Sequence, residues 1–369
     1  MNSTKMPVID NIELMTARVP LPEGPWGDQI HHVTDIEVAI VDVYGSNGHV
    51  GTGFSHTSGW CGKTISALIA EIIPDVIGQP LSPRGLWHRS YKHVHDVGGA
   101  GVTTHALAAL DIAYWDLLGK TLNAPIIDIL GRVRDRVPLY GSGINLHLSI
   151  EEVIDQVKRW KSTGYLAAKV KVGKPTLEED VERLRKIQEA VPGFPLAVDA
   201  NQGWTAKESV RIISAMEDKG LELDLVEQPV AAHDLKGMAY VTSRVYTPIL
   251  ADESVFSPKD AVEIIRLGAA DLLNIKLMKT GGIWQALKIC SLAEMYGVEC
   301  MIGCMLESKL AVSAAAHLAA AKRVITRADL DGPSLCKTDP FTGGPLYENG
   351  VIRMTDAPGI GITRVPAFV

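Results

Sequence analysis

The sequence has few cysteines, a deficit of basic residues and no long apolar run, and each shortage excludes a class of protein. Five cysteines are scattered along 369 residues without zinc-ligand spacing, so a disulfide framework is not expected. The 36 basic residues against 43 acidic ones give a net charge of −7, which makes nucleic acid and anionic membranes poor partners. No apolar run reaches the roughly 18 residues of a membrane span. The first residues also lack the apolar core of a signal peptide.

What the sequence does have is typical of a folded protein with a large core. Hydrophobic residues make up 46% of the chain and charged residues 21%. The length allows two or three domains. We therefore expect a reduced, cytoplasmic protein that acts on a small-molecule substrate, and we expect it to be a homo-oligomer.

Between residues 137 and 335, short β-rich runs recur at about the length of one strand–helix unit. The runs are predicted at Pro138–Ser142, Leu166–Val172, Pro195–Asn201, Leu223–Glu227, Pro248–Asp252, Asp271–Lys276, Val298–Gly303 and Ile325–Asp331. Ser149, Thr176 and Thr205 are each followed three residues later by Glu, the spacing of a helix capping box. Eight strands alternating with helices predict a (β/α) barrel. An open doubly wound sheet is the competing architecture, and the absence of a Gly-rich dinucleotide loop disfavours it.

The segments before and after this repeat differ in pattern. Residues 1–131 predict an α+β capping domain, with alternating strands at Ile12–Val19, Ile36–Tyr44 and Val50–Phe54. Helices are predicted in the same domain at Lys63–Ile77 and Thr103–Leu118. The catalytic barrel then covers residues 132–339. The Gly- and Pro-rich tail, residues 340–369, is expected to pack back on the first domain.

Three successive predicted barrel strands end in an acidic residue, and these are Asp199, Glu227 and Asp252. A single acid at a strand end often only caps the next helix. Three in the same phase on neighbouring strands would repel one another if they were buried without a cation. Oxygen ligands suit a hard cation such as Mg²⁺, so the sequence predicts a metal site here.

Lysines flank the carboxylates on both sides. Lys169 and Lys171 share a phase on the preceding strand, and Lys276 ends the strand after Asp252. Lysines that face a barrel mouth beside a divalent cation are expected to have a lowered pKa, which suits a general base. Lys171 and Lys276 are the candidate catalytic pair. Lys169 is either a substrate-binding residue or a structural partner of the carboxylates.

The motifs KVK, VDANQGW, VEQP, ADES and NIKLMKTGG, in this order and spacing, resemble those of the enolase superfamily in its muconate-lactonizing-enzyme subgroup. The resemblance implies a modified (β/α)₇β barrel and a capping domain completed by the C-terminal tail. It also implies Mg²⁺ on Asp199, Glu227 and Asp252, with Lys171 and Lys276 on opposite faces of the substrate carbon. Such enzymes abstract a proton α to a carboxylate, and the cation stabilises the resulting enediolate.

One departure separates the chain from mandelate-racemase-like and acid-sugar-dehydratase-like members. These carry a His base on the seventh strand, whereas that strand here reads VECMIGC. His317 lies in the apolar run SAAAHLAAA and is interpreted as a packed helix residue.

The last predicted strand carries Asp329 and Asp331, which alternate and should both face the barrel mouth. The pair resembles the DxD of dipeptide epimerases of the alanyl-glutamate type, which holds the α-ammonium group of the substrate. Alternatively, the two acids cap the following loop or pair with Arg323 or Arg327.

The loops of the capping domain resemble dehydratase members more than alanyl-glutamate epimerases. They carry residues that could close over a substrate, although loop aromatics often serve only in packing. These are Trp26, His31, His32, His56 and Trp60.

The sequence thus predicts a Mg²⁺-dependent, two-lysine epimerase that acts α to the carboxylate of a dipeptide or related amino-acid derivative. A dehydratase of a hydroxylated amino acid or acid sugar is the first alternative. A cycloisomerase comes third, because Asp329 and Asp331 would repel a dicarboxylate. A non-catalytic binding protein would need neither the second lysine nor the full metal set.

Overall fold

A computed structural model describes residues 6–21, 26–28, 32–57, 59–143, 146, 148–173, 175–335 and 339–364. Its N-terminal part contains five strands and four helices in chain order. They are β1 Ile9–Pro20, β2 Trp26–Gly27, β3 His32–Val33, β4 Asp35–Gly45, β5 Val50–His56, α1 Gly62–Val76, α2 Pro83–Val94, α3 Val102–Leu122 and α4 Ile126–Leu130. Strands β1, β4 and β5 form an antiparallel sheet on which α3 packs. The sequence predicted these three strands, α1 and α3, but not α2.

The second part alternates strands and helices. Its elements are β6 Arg136–Pro138, β7 Tyr140–Gly141, α5 Ile150–Thr163, β8 Ala167–Lys171, α6 Leu177–Ala190, β9 Leu196–Asp199, α7 Ala206–Asp218, β10 Leu223–Glu227, α8 Leu235–Thr242, β11 Ile249–Ala251, α9 Pro258–Leu267, β12 Leu272–Ile275, α10 Leu277–Thr280, α11 Ile283–Tyr296, β13 Glu299–Ile302, α12 Lys309–Ala321 and β14 Ile325–Ala328. Strands β7 to β14 form one parallel sheet in sequence order. A parallel bridge between Leu139 and Ala328 joins its two ends.

The predicted (β/α)₇β barrel with an α+β cap is confirmed, with one correction to its first strand. The strand predicted at Pro138–Ser142 is two short strands, because residues around Pro138 pair with the C-terminal tail and only Tyr140 and Gly141 pair with β8. A layer of apolar side chains from successive strands fills the barrel interior. It consists of Tyr140, Ala167, Ala197, Leu225, Leu250, Leu272 and Met301.

Local sequence signals account for the starts of several barrel helices. Ser149 and Thr205 form complete capping boxes with Glu152 and Glu208. Thr176 accepts a hydrogen bond from the N–H of Glu179, which is the first half of the predicted box. These caps set where each βα loop ends, and the loops at this end of the barrel surround its mouth.

The tail forms four short strands, β15 Phe341–Gly343, β16 Leu346–Glu348, β17 Val351–Arg353 and β18 Ile362–Arg364. It contacts both parts of the molecule. Strand β17 pairs with β6, whereas Phe341 packs against Phe54 of the cap with 6.4 Å between ring centroids. Among the described residues, no helix is both long and apolar enough to cross a membrane.

Candidate active site

A cavity of about 310 Å³ lies at the carboxyl ends of the barrel strands, beneath the loops of the cap. It is lined by residues from the cap, from at least six barrel strand ends and from α10. The predicted site residues that line it are Trp26, Trp60, Lys169, Lys171, Asp199, Asp252, Lys276, Asp329 and Asp331. Glu227 is not part of this described wall, but it accepts a hydrogen bond from Lys169, which is.

The three acidic strand ends lie side by side. Asp199 and Glu227 are the last residues of β9 and β10 and face each other in the parallel register, and Asp252 follows β11 by one residue. Their exposures are 2%, 0% and 2%, so all three are withdrawn from water. Burial raises the pKa of Glu227 to about 8, with Lys169 lowering it and Asp199 and Asp252 raising it further. The trio therefore concentrates more negative charge than an apolar barrel tolerates without counter-ions.

Each carboxylate has a lysine partner in the structure. The Nζ of Lys171 donates to Oδ2 of Asp199 at 2.7 Å, and the Nζ of Lys276 donates to Oδ2 of Asp252 at 2.7 Å. Lys169 donates to Glu227 and, at 2.8 Å, to Oδ2 of Asp329. Lys171 and Lys276 belong to β8 and to the end of β12, with β9, β10 and β11 between them. The carboxylate trio thus lies between the two lysines along the sheet.

The sequence predicted lowered lysine pKa values, and the structure differs on this point. Burial disfavours the ammonium form of Lys276, but the attraction of Asp252 and Glu227 is stronger and raises its pKa above the ordinary range. Lys169 is shifted upward in the same way, against burial, chiefly by Asp329 and Glu227. The prediction assumed that a divalent cation is bound to these carboxylates. With the protein groups alone, the negative charge of the carboxylates acts on the lysines and raises their pKa.

Asp329 and Asp331 both reach the cavity and do not pair with Arg327, which bonds to Asp224 and Glu299 instead. The carboxylate of Asp331 accepts hydrogen bonds from the N–H groups of Ser142 and Gly143, at 2.8 and 3.1 Å. Burial and the neighbouring Asp329 raise the pKa of Asp331 to about 6. Two buried acids thus meet at the end of the cavity formed by β14 and the loop after β7.

Sequence reasoning missed several polar residues around the carboxylates. Lys279 on α10 is 4% exposed and donates to Oδ1 of Asp252 at 2.5 Å. Asn201 accepts from Lys171 at 2.7 Å, and Asn274 donates to Glu227 at 2.8 Å. Lys279 could have been found, since it lies three residues after Lys276 and therefore on the same side of a helical turn. Asn274 lies on β12, two residues before Lys276, and could have been found by the alternation of side chains along a strand, whereas Asn201 lies in the loop after Asp199.

The cap residues divide into two groups. Trp26 and Trp60 line the cavity, and the Trp26 ring centroid lies 5.2 Å from Nζ of Lys171. His56 is fully buried behind the cavity wall, where its ring packs on Phe54 and burial lowers its pKa to about 4. His56 itself is not among the residues that line the described cavity.

The remaining histidines singled out by the sequence lie elsewhere. His32 is exposed and is not part of the described cavity wall. His31 lies outside the described residues. His317 is buried in α12, where its Nδ1 accepts from the N–H of Ile127 at 3.2 Å, so it is a packed helix residue as predicted.

Two family models match the chain. The one described as "Enolase C-terminal domain-like" matches residues 152–366. The one described as "Mandelate racemase / muconate lactonizing enzyme, N-terminal domain" matches residues 11–131. Together they cover the barrel and the cap.

Three similar proteins illustrate the relationship. An L-Ala-D/L-Glu epimerase of Clostridium acetobutylicum is 42% identical over 97% of this chain and 99% of its own length. The structure of a substrate-liganded complex of the L-Ala-D/L-Glu epimerase from Bacillus subtilis superposes with a TM-score of 0.89 at 38% identity, covering 96% and 98%. The dipeptide epimerase of Enterococcus faecalis complexed with Mg and the dipeptide L-Leu-L-Tyr gives a TM-score of 0.88 at 35% identity, covering 96% and 99%.

Proposed function

The chain belongs to the mandelate racemase/muconate lactonizing enzyme family of the enolase superfamily, and from this premise we propose that it is a Mg²⁺-dependent dipeptide epimerase. In this proposal the enzyme is an isomerase that inverts the carbon α to the free carboxylate of the dipeptide. The observation that carries it is the arrangement of Lys171 and Lys276 on either side of three buried carboxylates in one cavity. The names of the similar proteins, which include dipeptide epimerases crystallised with Mg, support the same activity.

The donor set fits a magnesium ion. Asp199, Glu227 and Asp252 supply only carboxylate oxygens, they are buried, and they come from three adjacent strands. Asn274 and Lys279 hold Glu227 and Asp252 in place by hydrogen bonds, as partners of metal ligands commonly do. When bound, Mg²⁺ would stabilise the negative charge that develops on the substrate carboxylate as the α-proton leaves.

The two lysines divide the proton transfers between them. The lysine on the face that carries the α-proton accepts it, and the lysine on the opposite face donates a proton to the same carbon, which inverts it. The roles of Lys171 and Lys276 exchange when the other stereoisomer is the substrate. Asp329 and Asp331 are proposed to receive the α-ammonium group of the dipeptide, because they are two adjacent buried acids that the last barrel strand brings to the cavity beside the carboxylate trio.

Deuterium exchange tests this function. In D₂O with Mg²⁺, the enzyme should incorporate one deuteron at the α-carbon of an L,L-dipeptide and form the epimer, as mass spectrometry and chiral chromatography would show. Lys171→Ala and Lys276→Ala should each stop epimerisation, while each leaves exchange of one stereoisomer only. The exposed Lys236 supplies a control, since Lys236→Ala should exchange both stereoisomers at the parent rate.

Three results would contradict the proposal. Interconversion of both stereoisomers by either lysine variant at the parent rate would exclude the two-lysine mechanism. Full activity after EDTA treatment in Mg²⁺-free buffer would exclude the metal site. Loss of water from the substrate, in place of exchange without a mass loss, would instead support the dehydratase.

A further inference from the structure

The cap side of the cavity carries Asp28, an acid that the proposed proton transfers do not use. Its side chain is 2% exposed, lines the cavity and places Oδ2 3.9 Å from Nζ of Lys171. The segment is anchored to the barrel, because the N–H of Leu146 donates to the carbonyl oxygen of Gly27 at 3.2 Å. Trp26, on the same segment, presents its ring to the same Nζ. A carboxylate and an aromatic face therefore meet beside one of the two lysines.

The proposed reaction determines which part of the substrate reaches this corner. The α-carbon has four substituents: its carboxylate points to the metal ligands and its amide nitrogen leads toward Asp329 and Asp331. The proton leaves or arrives along the line between Lys171 and Lys276. In this proposal the side chain of the epimerised residue takes the remaining direction, toward the part of the wall that the cap supplies. Asp28, Trp26 and Trp60 are among the described cap residues that line the cavity there.

The lysines of the described wall already have partners, which leaves an acidic side chain in that direction without a protein cation to bind. Six carboxylates and four lysines line the described part of the wall. The lysines already contact carboxylates: Lys169 contacts Asp329, Lys171 contacts Asp199, and both Lys276 and Lys279 contact Asp252. His105 also lines the cavity, but burial lowers its pKa to about 4, so it is neutral near pH 7. Among the described residues of the wall, no further cation is available for a substrate carboxylate.

We propose that the enzyme prefers dipeptides whose C-terminal residue has a cationic side chain, and that Asp28 recognises this cation together with the faces of Trp26 and Trp60. The inference rests on the proposed function and specifies its substrate class. An acid pairs with a guanidinium or ammonium group through a charge-assisted hydrogen bond. Indole faces attract the same groups. The relative named L-Ala-D/L-Glu epimerase would then differ from this chain in the side chain that its cavity accepts.

Matched substrates isolate the charge of the side chain. L-Ala-L-Arg and L-Ala-L-citrulline have nearly the same shape, but only arginine carries a charge, and L-Ala-L-Glu and L-Ala-L-Gln form the acidic counterpart. Deuterium exchange should give a kcat/KM about tenfold or more higher for the arginine dipeptide than for the citrulline dipeptide. The glutamate dipeptide should be poorer than the glutamine dipeptide.

In the variant Asp28→Asn, the kcat/KM for the arginine dipeptide should be close to that for the citrulline dipeptide, so that their ratio is about one. A merely structural role of Asp28 would lower both rates and leave the ratio unchanged. Asp10→Asn is the matched control, because Asp10 is an exposed acid of the same domain, away from the described cavity wall, and the ratio should stay at its parent value. The substrate comparison with the unmodified enzyme stands even where the variant does not fold.

The outcomes separate the inference from the proposed function. A preference for L-Ala-L-Glu among the dipeptides that exchange would overturn the inference and leave the dipeptide epimerase in place. The same holds if Asp28→Asn keeps the parent's arginine-to-citrulline ratio of kcat/KM. Exchange of none of the four dipeptides by folded, Mg²⁺-loaded enzyme would overturn both. A high ratio in the parent enzyme that collapses only in the Asp28 variant supports the inference.

Discussion

Lys169 connects two groups of acids that the proposed reaction uses for different purposes. It bonds to Glu227 of the carboxylate trio and to Asp329 of the DxD pair, and it is 4% exposed. A buried ammonium between two carboxylates lowers their mutual repulsion. The structure therefore favours the role of Lys169 as a partner of the carboxylates, which the sequence left open beside direct substrate binding.

The DxD pair allows a test at the scale of single residues. Replacing Asp329 and Asp331 by Asn keeps an oxygen that can accept from Ser142 and Gly143, so the local fold should persist. It removes the negative charge that would hold an α-ammonium group, a contact that typically contributes about 1.5–3 kcal/mol. The kcat/KM of a free dipeptide should therefore fall roughly ten- to a hundredfold, as steady-state exchange would measure.

An N-acetylated dipeptide provides the control, because it lacks the ammonium group. It should be a poor substrate of the parent enzyme and should lose little more in the double variant. Equal losses for the free and the acetylated dipeptide would show that the two aspartates have a structural role only.

At the scale of elements, the cap contacts the turn between α10 and α11, one helical segment after Lys276. Asp111 of α3 accepts a hydrogen bond from the N–H of Trp284 at 3.1 Å, at the start of α11. Trp87 of α2 donates to the carbonyl oxygen of Gly281 at 2.8 Å. A Cβ on Gly282, whose φ is +97°, would lie only 2.4 Å from the Asp111 carboxylate, so this approach requires glycine. Two cap helices thus fix the turn between α10 and α11.

Asp111 predicts a specific pH dependence of stability. Burial raises its pKa to about 8, against hydrogen bonds from Trp284, Ile283 and Trp115 that lower it. Between pH 4 and pH 8 the folded protein keeps a proton that the unfolded chain releases, so this group lowers the free energy of unfolding as pH rises. Asp111→Asn removes that dependence. From pH 5.5 to pH 7.5, the stability of the variant relative to the parent should rise by up to about 2.7 kcal/mol in urea titrations.

Taking the difference between the variant and the parent removes the contribution of other titrating groups to the pH dependence of stability. Buried histidines such as His56 and His317 are present in both proteins and therefore cancel. Asp218→Asn, which changes an exposed acid on α7, should differ from the parent by the same amount at both pH values. If the free energies of unfolding of Asp111→Asn and the parent differ by the same amount at both pH values, Asp111 is ionised in the folded protein.

The barrel elements could be predicted from the sequence because their signals are local. A capping box or an acid at a strand end lies within a few residues of the feature that it marks, and the parallel register then brings Asp199 and Glu227 together. Asp28 and Asp111 carry no such signal, since their roles depend on contacts between the cap and the barrel across more than a hundred residues. The helix α2 also carries local signals that were overlooked, because Ser82 caps its start, Pro83 is its first residue and Leu86, Trp87 and Val94 are spaced along one buried face.

At the scale of the whole molecule, one cluster of buried apolar side chains connects the cap, the barrel and the tail, and the cap has a second cluster of its own. A single cluster of buried side chains includes Phe54 of the cap, Val170 of the barrel and Phe341 and Ile362 of the tail. The tail strand β17 also pairs with β6, at the entrance to the barrel. Separate unfolding of the cap would expose apolar surface on all three parts, so we expect the molecule to unfold as one cooperative unit.

Phe341 tests this cooperativity, because it is 1% exposed and packs edge-on against Phe54. Phe341→Ala should lower the free energy of unfolding by about 3–5 kcal/mol, through lost burial and the cavity that remains. Hydrogen exchange should then speed up by the same factor for the most protected amides of β4 in the cap and β10 in the barrel. Thr342→Ala changes an exposed neighbouring position. It should change the opening free energy measured by hydrogen exchange in either strand by no more than about 0.5 kcal/mol. Faster exchange confined to the cap would show instead that the cap unfolds independently, and the shared core would then not couple it to the barrel.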